Sequence, residues 1–303
     1  MRIGVDLGGT KIEGVLISDT GEVSEKIRKD TPVDNYDSTL DTLCNLVEEL
    51  QTFHKTLLTV GIGTPGTLSM PGEIMKNSNS VCLNGQTLKK DLERRLGYEI
   101  RLENDANCFA LSEAHYGAGK EASSVFGVII GTGTGGGIVI HKKLLIGTNN
   151  IAGEWGHNAV PITVRELFDA DRSCYCGRLN CIETVLSGRG LKQTFQERYG
   201  GEGEAVAIAH LADGGDQTAI ECIRLYCQQL ARCLATVVNV IDPDMIILGG
   251  GLSNISELYR SVPEQMQDFV FTDILITKLS PPSFGDASGA RGAACLWPPR
   301  VLI

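Results

Sequence analysis

The sequence predicts an α/β protein of two lobes, and three observations carry that reading. Short apolar strands alternate with segments of helical periodicity along most of the chain. A strand, glycine turn, strand unit occurs twice. A polar pair, Asn104-Asp105, stands where a strand-like run gives way to a helical one. The expected lobes are residues 1–117, rejoined by a C-terminal helix in 287–303, and residues 118–286, which carry a cysteine-rich loop.

Taken in order, residues 2–7 form an apolar strand that breaks at Gly8-Gly9-Thr10, and Lys11 to Ile17 resumes strand character before Asp19-Thr20-Gly21 turns the chain. Bare glycine backbone lets a phosphate approach, while Thr10 and Lys11 add a hydroxyl and a positive charge. Taken alone, such a turn reads more readily as a plain hairpin. A helix is expected from Tyr36 to His54, with Leu40, Leu43, Val47 and Leu50 on one stripe. A strand follows from Thr56 to Gly63. The amide-rich loop from Lys76 to Gly85 suits either sugar hydroxyls or solvent. Thr87 to Leu96 reads as a helix, Tyr98 to Leu102 as a strand, and Asn104 to Tyr116 as a helix.

The run Ile3–Ile17 can be laid over Phe126–Ile140 at a constant offset of 123 residues, matching Gly4 with Gly127, Val5 with Val128, Gly8 with Gly131 and Gly14 with Gly137. Duplicated lobes with both turns aimed into one cleft are the expected reading, against chance likeness of two glycine-rich hairpins. Further on, Leu191 to Tyr199 and Ala205 to Ala212 read as short helices. A long helix from Gln217 to Ile241 carries apolar residues three and four apart and stops at Asp242-Pro243. Met245 to Leu248 reads as a buried strand, Gly249-Gly250-Gly251 as the opening of the next helix, and Ile274 to Lys278 as a further strand. An alanine-rich helix from Ala287 to Leu296 closes the series.

Composition excludes several classes. At 303 residues with a net charge of −10 and a pI of about 5.1, the chain offers no basic surface for nucleic acid or an anionic membrane. No run approaches the ~18 apolar residues of a membrane span, and the acidic residue at Asp6 breaks any signal-peptide pattern, so a cytoplasmic protein is expected. Cys44, Cys108, Cys222, Cys227 and Cys233 sit singly in helix-like segments and read as small core hydrophobes. Cys174, Cys176 and Cys181 differ. With His157 they make a donor set for tetrahedral zinc, which would pin a loop too poor in apolar residues to fold by packing. A redox pair or free thiols is the competing reading. Four protein ligands leave no open position, so the metal's role would be structural, and the second nitrogen of His157 could point at a substrate hydroxyl.

Together, Asp6-Leu7-Gly8-Gly9-Thr10-Lys11, Glu103-Asn104-Asp105-Ala106-Asn107, the run Gly131–Gly137, Glu154-x-Gly156-His157, Cys174-x-Cys176-Gly177 to Cys181-x-Glu183 and Leu248-Gly249-Gly250-Gly251 resemble the ROK family. That family comprises sugar kinases and sugar-responsive repressors that share the two-lobed actin-like ATPase (ribonuclease H-like) fold with hexokinases. One departure is Asn180, where the family usually has glycine before the last cysteine. Asn tolerates positive φ, so the loop is expected to survive. The wording of the Lys76–Gly85 loop, of Ala152–Asn158 and of Cys174–Gly177 is similar to bacterial fructokinases that also accept mannose.

The resemblance implies ATP-dependent phosphorylation of a hexose 6-hydroxyl, D-fructose first, with N-acetylglucosamine, glucose or mannose as alternatives. It makes Asp105 the general base. ATP and its phosphates would be held by Asp6, Gly8, Gly9, Thr10, Lys11, Gly131, Thr132, Gly133, Thr134, Gly249 and Gly250, with Mg²⁺ on Asp6 or its waters. Asp6 alone could also be a turn-closing carboxylate. Asn79, Asn104, Asp105, Glu154, His157 and Glu183 would read the sugar, although Glu154 and Glu183 could instead form ion pairs within the zinc loop. Partners are then a hexose, ATP and a second copy in a homodimer. A DNA-binding repressor is disfavoured because the first strand begins at Ile3 with no basic segment ahead of it. A sugar-binding protein without catalysis conflicts with the intact Asp105.

Overall fold

A computed structural model describes residues 1–70, 72–285 and 288–298. In chain order the elements are β1 (Arg2–Leu7), β2 (Lys11–Ile17), β3 (Val23–Asp30), α1 (Tyr36–Thr52), β4 (Val60–Thr64), β5 (Thr67–Ser69), β6 (Ile74–Lys76), α2 (Leu88–Leu96), β7 (Arg101–Asn104), α3 (Asp105–Tyr116), β8 (Ser124–Ile130), β9 (Thr134–Ile140) and β10 (Lys143–Leu144). Then come α4 (Ile162–Arg165), α5 (Glu183–Leu186), α6 (Gly188–Tyr199), α7 (Ala205–Asp213), α8 (Gln217–Ile241), β11 (Met245–Gly249), α9 (Glu257–Gln267), β12 (Lys278–Ser280) and α10 (Ser288–Ala294). Among the described residues no helix is long and apolar enough to cross a membrane.

The chain divides into two compact units. The first comprises Met1–Glu121, Gly137–Ala152 and Phe284–Ile303, and the second Ala122–Gly136 and Gly153–Ser283; one boundary falls inside β9. The helix expected over 287–303 lies partly outside the described residues.

In the first unit the sheet order is β3-β2-β1-β4-β7. β1 runs antiparallel to β2 and parallel to β4, and β4 runs parallel to β7. Strand alternation sends Ile3, Val5 and Leu7 into a core shared with Leu40, Leu43, Leu46, Val47 and Leu50 of α1. Each such side chain contributes about 1.5–3 kcal/mol on burial. Helix α1 starts where the Asn35 side chain accepts the Ser38 N–H at 2.9 Å. Gly4 and Gly61 let α10 lie directly on the sheet, since an added Cβ would come 1.9 Å from the Ala290 carbonyl oxygen and 1.8 Å from that of Ala293. Only glycine permits that approach.

The second sheet has the order β10-β9-β8-β11-β12, with β8 parallel to β11 and β11 parallel to β12. The 123-residue offset carries β2 onto β9 end to end and places β1 within β8. The repeat is therefore one of structure. In this unit α8 begins at Asp216, whose side chain accepts the Ala219 N–H at 2.8 Å, and ends at Asp242 with φ +49° before Pro243.

Several elements differ from expectation. β3 has no apolar run to announce it: Val23-Ser-Glu-Lys-Ile-Arg-Lys-Asp30 alternates half-buried and exposed residues, as suits a charged edge strand. β4 covers Val60–Thr64 instead of Thr56–Gly63. The strand expected at Ile274–Lys278 forms at Lys278–Ser280, where pairing with β11 begins, while Ile274 and Ile276 are exposed. Gly251–Asn254 is a 3₁₀ turn, and the helix expected there starts only at Glu257.

Candidate functional site

In the first unit the candidate side chains Asp6, Asn104 and Asp105 collect at the carboxyl ends of its parallel strands. Register pairs Asp6 with Gly63 and Thr64 with Asn104, so β1, β4 and β7 finish at one edge, where open α/β sheets take ligands. Asn104 caps α3: its side-chain oxygen accepts the Ala106 N–H at 2.8 Å and the Asn107 N–H at 3.4 Å, while its amide donates to the Gly66 carbonyl at 3.3 Å. That cap fixes Asp105 as the first helical residue, with an exposed side chain whose Oδ1 accepts the Ala106 N–H at 2.8 Å. Glu103, behind it, is buried, and burial raises its carboxyl although Asn104 N–H and Asn107 Nδ2 donate to it.

Asp6 faces α10, where an added Cβ on Gly289 would come 2.5 Å from its Oδ2. Burial first, then the charges of Asp105 and Glu13, push its carboxyl up to about 7. Glu13 is held by Lys26 at 2.8 Å and by Arg28. A half-buried carboxylate with two acidic neighbours favours a cation.

The turn after β1 is closed by the Gly8 N–H donating to the Lys11 carbonyl at 3.0 Å and the Thr31 hydroxyl donating to the Gly8 carbonyl at 2.8 Å. Gly9, Thr10 and Lys11 are exposed. The Gly8 amide, expected as a phosphate donor, is thus committed to the turn. Asn79 is exposed on a loop cinched by Asn84, which accepts the Ser78 N–H and donates to the Ser78 carbonyl, both at 2.9 Å. It lines a cavity of about 280 Å³ together with Gly9, Pro32, Val33, Ser80 and Cys82. This volume is at the small end of the range for small-molecule sites.

In the second unit, β8 and β11 also finish together, with Gly249 opposite Ile129. Gly250 has φ +83°, and a Cβ there would sit 2.6 Å from the Ile130 carbonyl oxygen, so backbone lies against backbone beside the turn Gly131–Thr134. The Gly131 N–H donates to the Gly133 carbonyl at 2.9 Å, and the Thr134 N–H to Glu183 Oε2 at 2.9 Å. Thr132 is exposed and Thr134 buried.

His157, Cys174, Cys176 and Cys181 place their ligand atoms within 4.8 Å of one another. Cys174 Sγ lies 3.6 Å from His157 Nδ1, and Cys176 Sγ 3.6 Å from Cys181 Sγ. Tetrahedral zinc with Zn–S near ~2.3 Å needs ligand edges of roughly 3.8 Å, so the donor set fits. Asn180 takes φ +56°, as its type allows, and its side chain accepts the Arg172 N–H and donates to Asp171, both at 2.8 Å.

The second nitrogen of His157 has a partner that sequence reasoning missed. Nε2 lies 2.9 Å from the Tyr175 hydroxyl. Desolvation of part of the otherwise exposed Tyr175 side chain, then the Glu183 and Glu154 charges, push that phenol up to about 12, so at neutral pH it keeps its proton. The desolvated part of the otherwise exposed Glu154 side chain raises its carboxyl, with His157 opposing and Glu183 reinforcing. Only the position of Tyr175 between two cysteines of the cluster hinted at this contact.

Comparison with known proteins agrees with the geometry. Residues 2–300 match the family described as ROK family. The N-acetyl-D-glucosamine kinase of Pasteurella multocida is 36% identical over 301 residues, covering 98% of this chain and 99% of that protein. The N-acetyl-D-glucosamine kinase of Pectobacterium atrosepticum is 38% identical over 300 residues, 98% of each. Among solved structures, the ROK hexokinase of Thermus thermophilus superposes with a TM-score of 0.86 at 26% identity, covering 97% of this chain and 96% of that one. The ROK family glucokinase of Streptomyces griseus, solved with glucose and AMPPNP, has a TM-score of 0.78 at 28% identity, covering 97% and 98%. The actin-like ATPase fold follows from these neighbours.

Proposed function

The chain belongs to the ROK family, and from that premise we propose that it is an ATP-dependent kinase acting on the 6-hydroxyl of a hexose. The observation that carries the proposal is the placement of Asp105 as the exposed first residue of α3, at the strand-end edge that also carries the perturbed Asp6. Support for ATP comes from the AMPPNP complex of the Streptomyces griseus glucokinase.

In this reading Asp105 accepts the proton of the sugar hydroxyl as it attacks the γ-phosphorus of ATP. A strong base is not required, because the proton moves late in a loose transition state. The catalytic power then comes mainly from alignment and charge stabilisation. Asp6 would hold Mg²⁺ or its waters, and a magnesium ion there would neutralise charge on the phosphates. Gly8, Gly9, Thr10 and Lys11, with Gly131, Thr132, Gly133, Thr134, Gly249 and Gly250 of the second unit, are the residues proposed for ATP. Asn79, Asn104, Glu154, His157 and Glu183 are those proposed for the sugar. His157, Cys174, Cys176 and Cys181 would hold a structural zinc. The same reading gives a cytoplasmic homodimer, checked by sedimentation.

Two sugars are carried by different observations. Identity over nearly the whole chain to N-acetyl-D-glucosamine kinases supports that amino sugar, while the local wording of the Lys76–Gly85 loop supports D-fructose. Coupled assays with ATP, Mg²⁺ and a panel of fructose, N-acetylglucosamine, glucose and mannose test both. A kcat/KM more than about tenfold higher for one sugar assigns it, and absence of turnover with every hexose would end the kinase proposal.

A further inference from the structure

The turn Gly131–Thr134 is clamped by the segment that carries the zinc ligands. Trp155 Nε1 donates to the Gly135 carbonyl at 2.9 Å, and the Gly188 N–H donates to the Gly131 carbonyl at 2.7 Å. Gly156 lies so close that an added Cβ would come 2.0 Å from the Thr134 carbonyl oxygen. Glu183 completes the set by accepting the Thr134 N–H at 2.9 Å, and a Cβ on Gly133 would come 2.8 Å from the same Oε2. The Thr134 hydroxyl does not fix the turn, being buried without a hydrogen-bond partner among the described residues. Glu183 is the first residue of α5, two positions beyond Cys181, so its backbone is anchored to the cysteine cluster.

From this geometry we infer that Glu183 is a positioning residue for the nucleotide: it holds the Thr134 amide and so sets the shape of the phosphate turn, whatever hydroxyl its other oxygen meets. The inference rests on the proposal that this turn receives ATP. It separates two roles. A carboxylate that only reads sugar leaves nucleotide affinity unchanged when sugar is absent, whereas one that shapes the turn does not.

The test is calorimetric titration of the full-length, zinc-loaded protein with Mg²⁺ and AMPPNP, no sugar present. Glu183→Ala is expected to weaken binding by about tenfold or more, since the charge-assisted bond to the Thr134 amide is lost. Glu183→Asp, too short to reach but still acidic, is expected to weaken it comparably. Glu183→Gln, whose amide oxygen accepts the same bond, is expected to stay within about threefold of wild type. Wild-type affinity in both Glu183→Ala and Glu183→Asp overturns the inference alone. Failure of the wild-type chain to bind the analogue overturns the nucleotide reading beneath it, and the inference with it.

Discussion

Asp6 and Glu13 stand directly opposite one another across the β1–β2 ladder. Like charges in that position repel, and among the described residues only Glu13 of the pair has basic partners, Lys26 and Arg28. Asp6 therefore takes the penalty, its carboxyl raised to about 7 by burial, Asp105 and Glu13. Because the folded value lies above the unfolded one of 3.8, the folded state holds its proton longer. Stability from this group is fully present below about pH 4 and is lost as pH rises through 7, by at most about 4 kcal/mol at ~1.4 kcal/mol per unit. Asp6→Asn should flatten that decline, making the variant's melting temperature less sensitive to pH between 4 and 8. An unchanged slope would show that Asp6 is not the group responsible.

Asp105→Asn is expected to cost about 10²–10⁴ in kcat, the usual contribution of a positioned general base. Its side chain is exposed, so melting should shift by no more than the ~1 kcal/mol of a helix N-terminal charge. A loss under fivefold in kcat would remove Asp105 from the base role.

One zinc per chain is expected by elemental analysis, and chelation should lower the melting temperature and loosen the loop over 160–181. Cys176→Ser should release the metal without affecting the sheet core of the first unit. A metal-free protein with unchanged melting would return the four residues to free thiols and an imidazole.

Cys82 is half-buried and lines the cavity that also contains Asn79. If the sugar engages Asn79, the preferred hexose should slow alkylation of Cys82 several-fold, read by mass spectrometry of the labelled peptide. Equal labelling with and without sugar would place the sugar elsewhere.

Legibility in the sequence followed burial. Helix α8 was readable from end to end because its apolar stripe is long and its stop, Asp242-Pro243, is a local signal. Duplication was readable because the glycines of both hairpins keep one spacing. The edge strand β3 was not, since charges occupy both of its faces, and the start of α9 was placed too early, at the glycine run, where a 3₁₀ turn forms first. The junction at Asn104-Asp105 was legible because a polar pair stands where strand gives way to helix, while the base role of Asp105 rests on the family resemblance. The Thr134–Glu183 and His157–Tyr175 bonds were not, because they join residues 49 and 18 positions apart, which only the folded chain brings together.

The contact of α10 with Gly4 and Gly61 bears on the order of biosynthesis. Strands β1 and β4 leave the ribosome well before the helix that lies on them, which is made after β12, so the first sheet waits with one face uncovered until α10 has been synthesised. A fragment of residues 1–121 is expected to bind a hydrophobic dye and to precipitate unless a peptide spanning 284–298 is supplied. Nascent chains of this protein would then depend on chaperones until α10 emerges.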